Sequence, residues 1–225
     1  MTVGAADGPV PDLLRRNRAW AGRKTTSDPG SFARLVGQQR PRYFWIGCAD
    51  SRVPATEIVD LDPGEMFVHR NVANLAEPGD PNFTAALAYA VDVLGIDNIL
   101  LVGHYGCGGI EAVLTEPADA VAQWLAPVRR LYGQRHDDLA GCSQGAKLDR
   151  LCELNVIEQV QALSQHPIVT EAWRSGRELA LYGLVYGIGD GLLGHVCTAP
   201  NPGGAAPHIQ IQQSYQFARQ SVPMS

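Results

Sequence analysis

A chain of 225 residues suits one domain with a substantial buried core, and 45% hydrophobic with 18% charged residues is ordinary for a globular protein in water. The formal net charge of -5 argues against nucleic-acid binding, which brings a basic excess. No run approaches the roughly 20 apolar residues a bilayer span needs, and the first eleven residues lack the apolar stretch of a secretory signal, so the expectation is a cytoplasmic protein without a membrane partner.

In chain order, residues 1–11 are expected to be disordered, residues 12–197 to form the functional domain, and residues 198–225, rich in Pro, Gly and Gln, to form a loose tail. Leu13 to Lys24 has helical spacing, with Leu14 and Trp20 as contacts, and Ser31 to Gln39 reads as a second short helix. Tyr43 to Gly47 is an apolar, aromatic run of the buried-strand type, and Glu65 to His69 is a second strand. Phe83 to Leu94 reads as a helix apolar on most faces, and Asn98 to Gly103 as a strand buried on both faces. Helices are expected from Gly108 to Thr115 and from Leu148 to Leu163, then a strand from Glu178 to Ile188 and a short one at His208 to Gln212. Strands alternating with helices of these lengths predict an α/β fold: a mainly parallel sheet flanked by helices, with an N-terminal helical arm.

Two segments carry chemistry. Cys48-Ala49-Asp50-Ser51-Arg52 follows the first strand, and Gly103-His104-Tyr105-Gly106-Cys107-Gly108-Gly109 follows the third. Open parallel sheets place ligand sites at the carboxyl ends of strands, so neighbouring strands would bring Cys48 beside His104 and Cys107. Two thiolates and an imidazole suit Zn2+ and leave its fourth tetrahedral position open. Taken separately, a cysteine after a strand is ordinary packing and a glycine-rich loop is an ordinary tight turn; their joint occurrence favours a metal. The loop has neither a phosphate-loop Lys nor the dinucleotide spacing. Cys142, Cys152 and Cys197 have no such neighbours, and an odd total of five cysteines does not suggest a disulfide framework. His136, His166, His195 and His208 read as solvated loop residues, and Trp124 and Trp173 as core.

Trp45 to Pro54 (Trp-Ile-Gly-Cys-Ala-Asp-Ser-Arg-Val-Pro), Gly64 to Asn74 and Gly103 to Gly109 strongly resemble the β-carbonic anhydrase family, with further matches at Tyr89 to Asp92, Leu151 to Val156 and Val185 to Gly187. The resemblance covers roughly residues 12–195. It implies zinc on Cys48, His104 and Cys107, with Asp50 able to take the fourth position, and hydration of carbon dioxide to bicarbonate by zinc hydroxide with an Asp50–Arg52 dyad gating the metal. It also implies a homodimer, paired into a dimer of dimers, and substrate contacts from Gln39 and Gly108, the glutamine being supplied across the dimer. Trp45, Arg70 and Tyr186 match the triad of the subtype regulated by a second bicarbonate. A relative acting on carbon disulfide or carbonyl sulfide with the same ligands stays open, as does a bicarbonate sensor without turnover.

Overall fold

The computed structural model describes residues 9–115 and 119–212. Residues 1–8 of the expected disordered start and 213–225 of the expected tail lie outside the described residues. By contacts the chain divides into an N-terminal unit up to Arg40 and a second unit from Pro41 onward.

In the first unit, α1 (Pro9–Ser27) and α2 (Ser31–Leu35) meet through an edge-on contact between Trp20 and Phe32, ring centroids 5.7 Å apart. The first helix starts four residues earlier than its apolar spacing suggests, because proline suits a first turn and Asp12 lies beside the helix N-terminus.

The second unit holds β1 (Tyr43–Cys48), α3 (Ala55–Ile58), β2 (Met66–Asn71), α4 (Pro81–Ala88), β3 (Asn98–His104), α5 (Gly108–Ala112), α6 (Asp119–Trp124), α7 (Ala126–Gln134), α8 (Gln144–Ser164), α9 (Pro167–Arg174), β4 (Ala180–Tyr186), β5 (Leu193–Ala199) and β6 (Gln210–Ile211). The sheet order is β2-β1-β3-β4-β5-β6, parallel through β4 and antiparallel beyond it. The expected helix from Phe83 to Leu94 is α4 continued by a π-helical turn at Tyr89–Val93. The seven residues of β5, absent from the sequence reading, pair with β4 after a short turn.

Alternation along β1 sends Phe44 and Ile46 into one core with Phe83, Leu87, Val156, Val160 and Trp173, and sends Trp45 into a second core with Val53, Met66 and Val102. Burial on both faces is why β1 and β3 are near-continuous apolar runs. A third cluster, with Leu75, Ile110, Val128 and Leu151, lies under Cys48 and Cys107. Among the described residues no helix is long and apolar enough to cross a membrane.

Candidate metal centre

From β1 the chain passes to β2 on one side, while β3 lies on the other. This is a topological switch point, and the crevice outside it is where an open α/β sheet offers a ligand site. Cys48 ends β1 and His104 ends β3. Gly106, at φ 65°, then turns the chain back in a conformation that favours glycine, and Cys107 caps the start of α5. One ligand atom from each of Cys48, His104 and Cys107 lies within 4.8 Å of the other two, and the Sγ atoms are 3.8 Å apart. All three residues are buried.

The polar atoms of this group fit a cation. His104 Nδ1 is 3.0 Å from the Tyr105 carbonyl oxygen, which can only accept, so Nδ1 carries the proton and Nε2 keeps its lone pair. That Nε2 is buried with no hydrogen-bond partner among the described residues, an acceptor facing two thiols. The Cys48 thiol is pushed down, first by the thiol of Cys107 and also by His104 and the backbone N–H groups of Asp50 and Ala73. Cys107 is pushed up, first because its proton serves Cys48 and then by burial. Protein groups alone thus favour one thiolate and oppose a second; a divalent cation removes that opposition, and the soft donor set selects zinc.

Asp50 and Arg52 flank the group. Arg52 Nε donates to Asp50 Oδ1 at 3.0 Å, its terminal nitrogen donates to Oδ2 at 2.7 Å, and its backbone N–H donates to Oδ1 at 2.9 Å. The Arg52 guanidinium beside Asp50 holds that carboxyl well below the usual carboxylate range. Arg52 also donates to the Gly106 carbonyl at 3.1 Å, tying the loop after β1 to the loop after β3. Asp50 Oδ2 is 3.8 Å from His104 Nε2.

Of the other residues singled out in the sequence, Trp45 is fully buried and its indole N–H has no acceptor among the described residues. Arg70 is largely exposed and donates to the backbone carbonyls of Cys48 and Asp50. Tyr186 is half-buried and in register with His104. Gly108 is exposed at the first turn of α5, and Gln39 is exposed in the N-terminal unit. Cys152 and Cys197 are buried and Cys142 is exposed. His166 corrects the reading of a solvated residue: it is buried and caps α9 through Nδ1. Trp124, expected in the core, is only half-buried, its indole donating to the Val72 carbonyl.

Sequence reasoning missed the groups behind the site. Ala73 and Asn74 are non-glycine residues at φ 64° and 49°, and Asn155, Gln159 and Glu153 are buried polar residues of α8. Tyr105 donates its hydroxyl to Glu153 at 2.7 Å, and burial holds the Glu153 carboxyl above its ordinary range. Asn155 and Gln159, polar and one turn apart on one otherwise apolar helix face, are the signal that could have found that pair.

Residues 43–193 match the family model described as carbonic anhydrase. A carbonic anhydrase of Emericella nidulans is 39% identical over 184 residues, 80% of each chain. A Coccomyxa β-carbonic anhydrase solved in complex with acetazolamide superimposes with a TM-score of 0.80 at 38% identity, covering 87% of each chain. One of the tetrameric β-carbonic anhydrases of Sordaria macrospora superimposes at 0.81 with 35% identity, covering 85% of this chain and 99% of that one.

Proposed function

The chain belongs to the β-class carbonic anhydrases, which are zinc enzymes, and we propose that in it Cys48, His104 and Cys107 hold the zinc while Asp50 and Arg52 control the position beside them during reversible hydration of carbon dioxide. The observation that carries the ligand assignment is the buried, unpartnered Nε2 of His104 facing two thiols whose Sγ atoms are 3.8 Å apart.

Zinc in such a site is a Lewis acid that makes water a nucleophile near neutral pH. The protein's residues do the rest. The Tyr105 carbonyl fixes the His104 tautomer. Asp50, ionised and held at both oxygens by Arg52, is an acceptor that orients a donor in the crevice. When Arg52 lets go, Asp50 Oδ2, already 3.8 Å from His104 Nε2, is near enough to take the remaining metal position itself. The dyad is therefore read as a switch between an open and a self-blocked site. Gln39 and Gly108 are read as substrate contacts, the first supplied by a second subunit.

Regulation by bicarbonate is supported by the unpartnered indole N–H of Trp45 and by Arg70, whose guanidinium already holds the Cys48–Asp50 backbone. An anion drawing Arg70 away would loosen the loop that carries Asp50. A homodimer, paired as a dimer of dimers, is supported by the tetrameric Sordaria proteins. Unpaired ligand thiols suit a reducing compartment, and the protein is read as cytoplasmic. The test is stopped-flow carbon dioxide hydration with zinc measured on the same sample: about one zinc per chain and rapid turnover support the assignment, and turnover without zinc overturns it.

A further inference from the structure

Ala73 and Asn74 are consecutive, buried, non-glycine residues in the left-handed region, a conformation that persists only where its surroundings hold it. Side chains of α8 and β2 hold it. Asn155 Nδ2 donates to the Ala73 carbonyl at 3.0 Å. One helical turn on, Gln159 Nε2 donates to Asn155 Oδ1 at 3.2 Å, and its Oε1 accepts from the Ala76 N–H at 2.9 Å. On the far side, Asn71 bonds both backbone groups of Leu75.

The turn touches both thiol-bearing segments. Ala73 lies in one buried cluster with Cys48 and Cys107. Gly109, two residues after Cys107, packs so tightly on the turn that a Cβ there would lie 2.8 Å from Val72 Cγ1 and 3.2 Å from Ala73 Cβ.

We propose that Asn155, oriented by Gln159, is a positioning residue: it clamps Ala73 in the left-handed conformation and so holds the turn against the segments that carry Cys48 and Cys107. The clamp sets how firmly the two thiols are held in place for a metal, as outer-shell hydrogen bonds do in metal sites. It rests on the reading that Cys48 is a zinc ligand, and extends it to a residue of α8 that touches neither metal nor substrate.

The experiment uses the full chain, with cobalt(II) in place of zinc as a spectroscopic probe and a chelator to time zinc release. Wild type showing no thiolate-to-cobalt band would remove the ligand reading itself, before any variant is compared. Given that band, Asn155→Ala should shift it and release zinc roughly tenfold faster, the lower end of outer-shell effects. Adding Ala73→Gly to Asn155→Ala should return both readouts most of the way, since glycine adopts the turn without a clamp. If Asn155→Ala does not fold, Gln159→Ala, which frees the Asn155 amide, should move both readouts in the same direction. A folded variant with wild-type band and release rate overturns the proposal, and so does a change that Ala73→Gly fails to reverse.

Discussion

Asp50 and Arg52, two residues apart, face each other through two side-chain hydrogen bonds at 3.0 and 2.7 Å, and Arg52 also spans from Asp50 to the Gly106 carbonyl. Only one partner is tightly enclosed: the Asp50 side chain is 16% exposed and that of Arg52 is 54% exposed. Losing the arginine side chain therefore leaves a carboxylate in the crevice held by the residue-52 backbone N–H, with its other oxygen free to turn toward the metal position. Arg52→Ala should keep zinc and lower hydration near neutral pH roughly tenfold, the modest end for a hydrogen bond to a charged group because the guanidinium is solvated. Stopped-flow rates from neutral to alkaline pH check this, and an unchanged profile would show the pair to be structural.

Cys48 and Cys107 should fail together. Serine at either position removes a thiolate donor, so Cys48→Ser and Cys107→Ser should each lose most bound zinc, and hydration with it. In the intact protein zinc retention should fall as pH falls, because protons compete for both sulfurs. Zinc content by elemental analysis after dialysis at pH 8, 7, 6 and 5 measures both effects. Full occupancy in the serine variants would contradict the ligand set.

The Cys48, His104 and Cys107 cluster was legible because two of its members end strands whose apolar runs mark burial on both faces: Tyr43 to Gly47 and Asn98 to Gly103 announce β1 and β3, and Cys48 and His104 close them. Fold class follows from the same alternation of strand and helix. By contrast, β5 carries Gly194, His195 and Thr198 among its seven residues and follows a glycine-rich turn, so period and composition hide it. Proline earned α1 its early start, a signal discounted among glycine and alanine. The left-handed turn at Ala73 has no sequence signature, since alanine avoids that conformation and tertiary bonds from Asn155 and Gln159 impose it.

His69 gives the fold a sensitivity to acid. It is buried on β2 against Phe83, with Nε2 3.3 Å from Asn71 Nδ2. That amide nitrogen is a donor, so His69 Nε2 must be unprotonated, and protonation would set donor against donor. Burial pushes the His69 pKa down, with Asp80 opposing in part. The unfolded chain then takes up the proton first, so stability rises with pH through the window between the folded value and about 6.5, and is lost as pH falls below 6.5. Buried His166 acts in the same direction. Urea unfolding at pH 5 to 8 should show a steeper loss in wild type than in His69→Gln, and equal slopes would remove His69 as a cause.

Bicarbonate should act on this protein away from the zinc ligands. Trp45 buries an indole N–H without an acceptor among the described residues, an arrangement that costs stability unless something fills it. Arg70 spends its donors on the Cys48 and Asp50 carbonyls, and Tyr186 packs against the core that holds Trp45. A small planar anion offers acceptors to all three, and taking Arg70 would release the backbone on which Asp50 rides. Bicarbonate binding and Asp50 falling back beside the ligands then favour one another, a coupling that must be reciprocal. Added bicarbonate should lower hydration beyond simple product competition and steepen its dependence on pH. Tyr186→Phe, which keeps the ring and removes only the hydroxyl, should weaken that inhibition several-fold with little change in the uninhibited rate. Trp45→Phe should do the same at some cost in stability, because the residue is fully enclosed. Hydration measured against pH at several bicarbonate concentrations decides it: a shallow wild-type profile with competitive product inhibition alone would leave Trp45, Arg70 and Tyr186 as packing and loop-holding residues only.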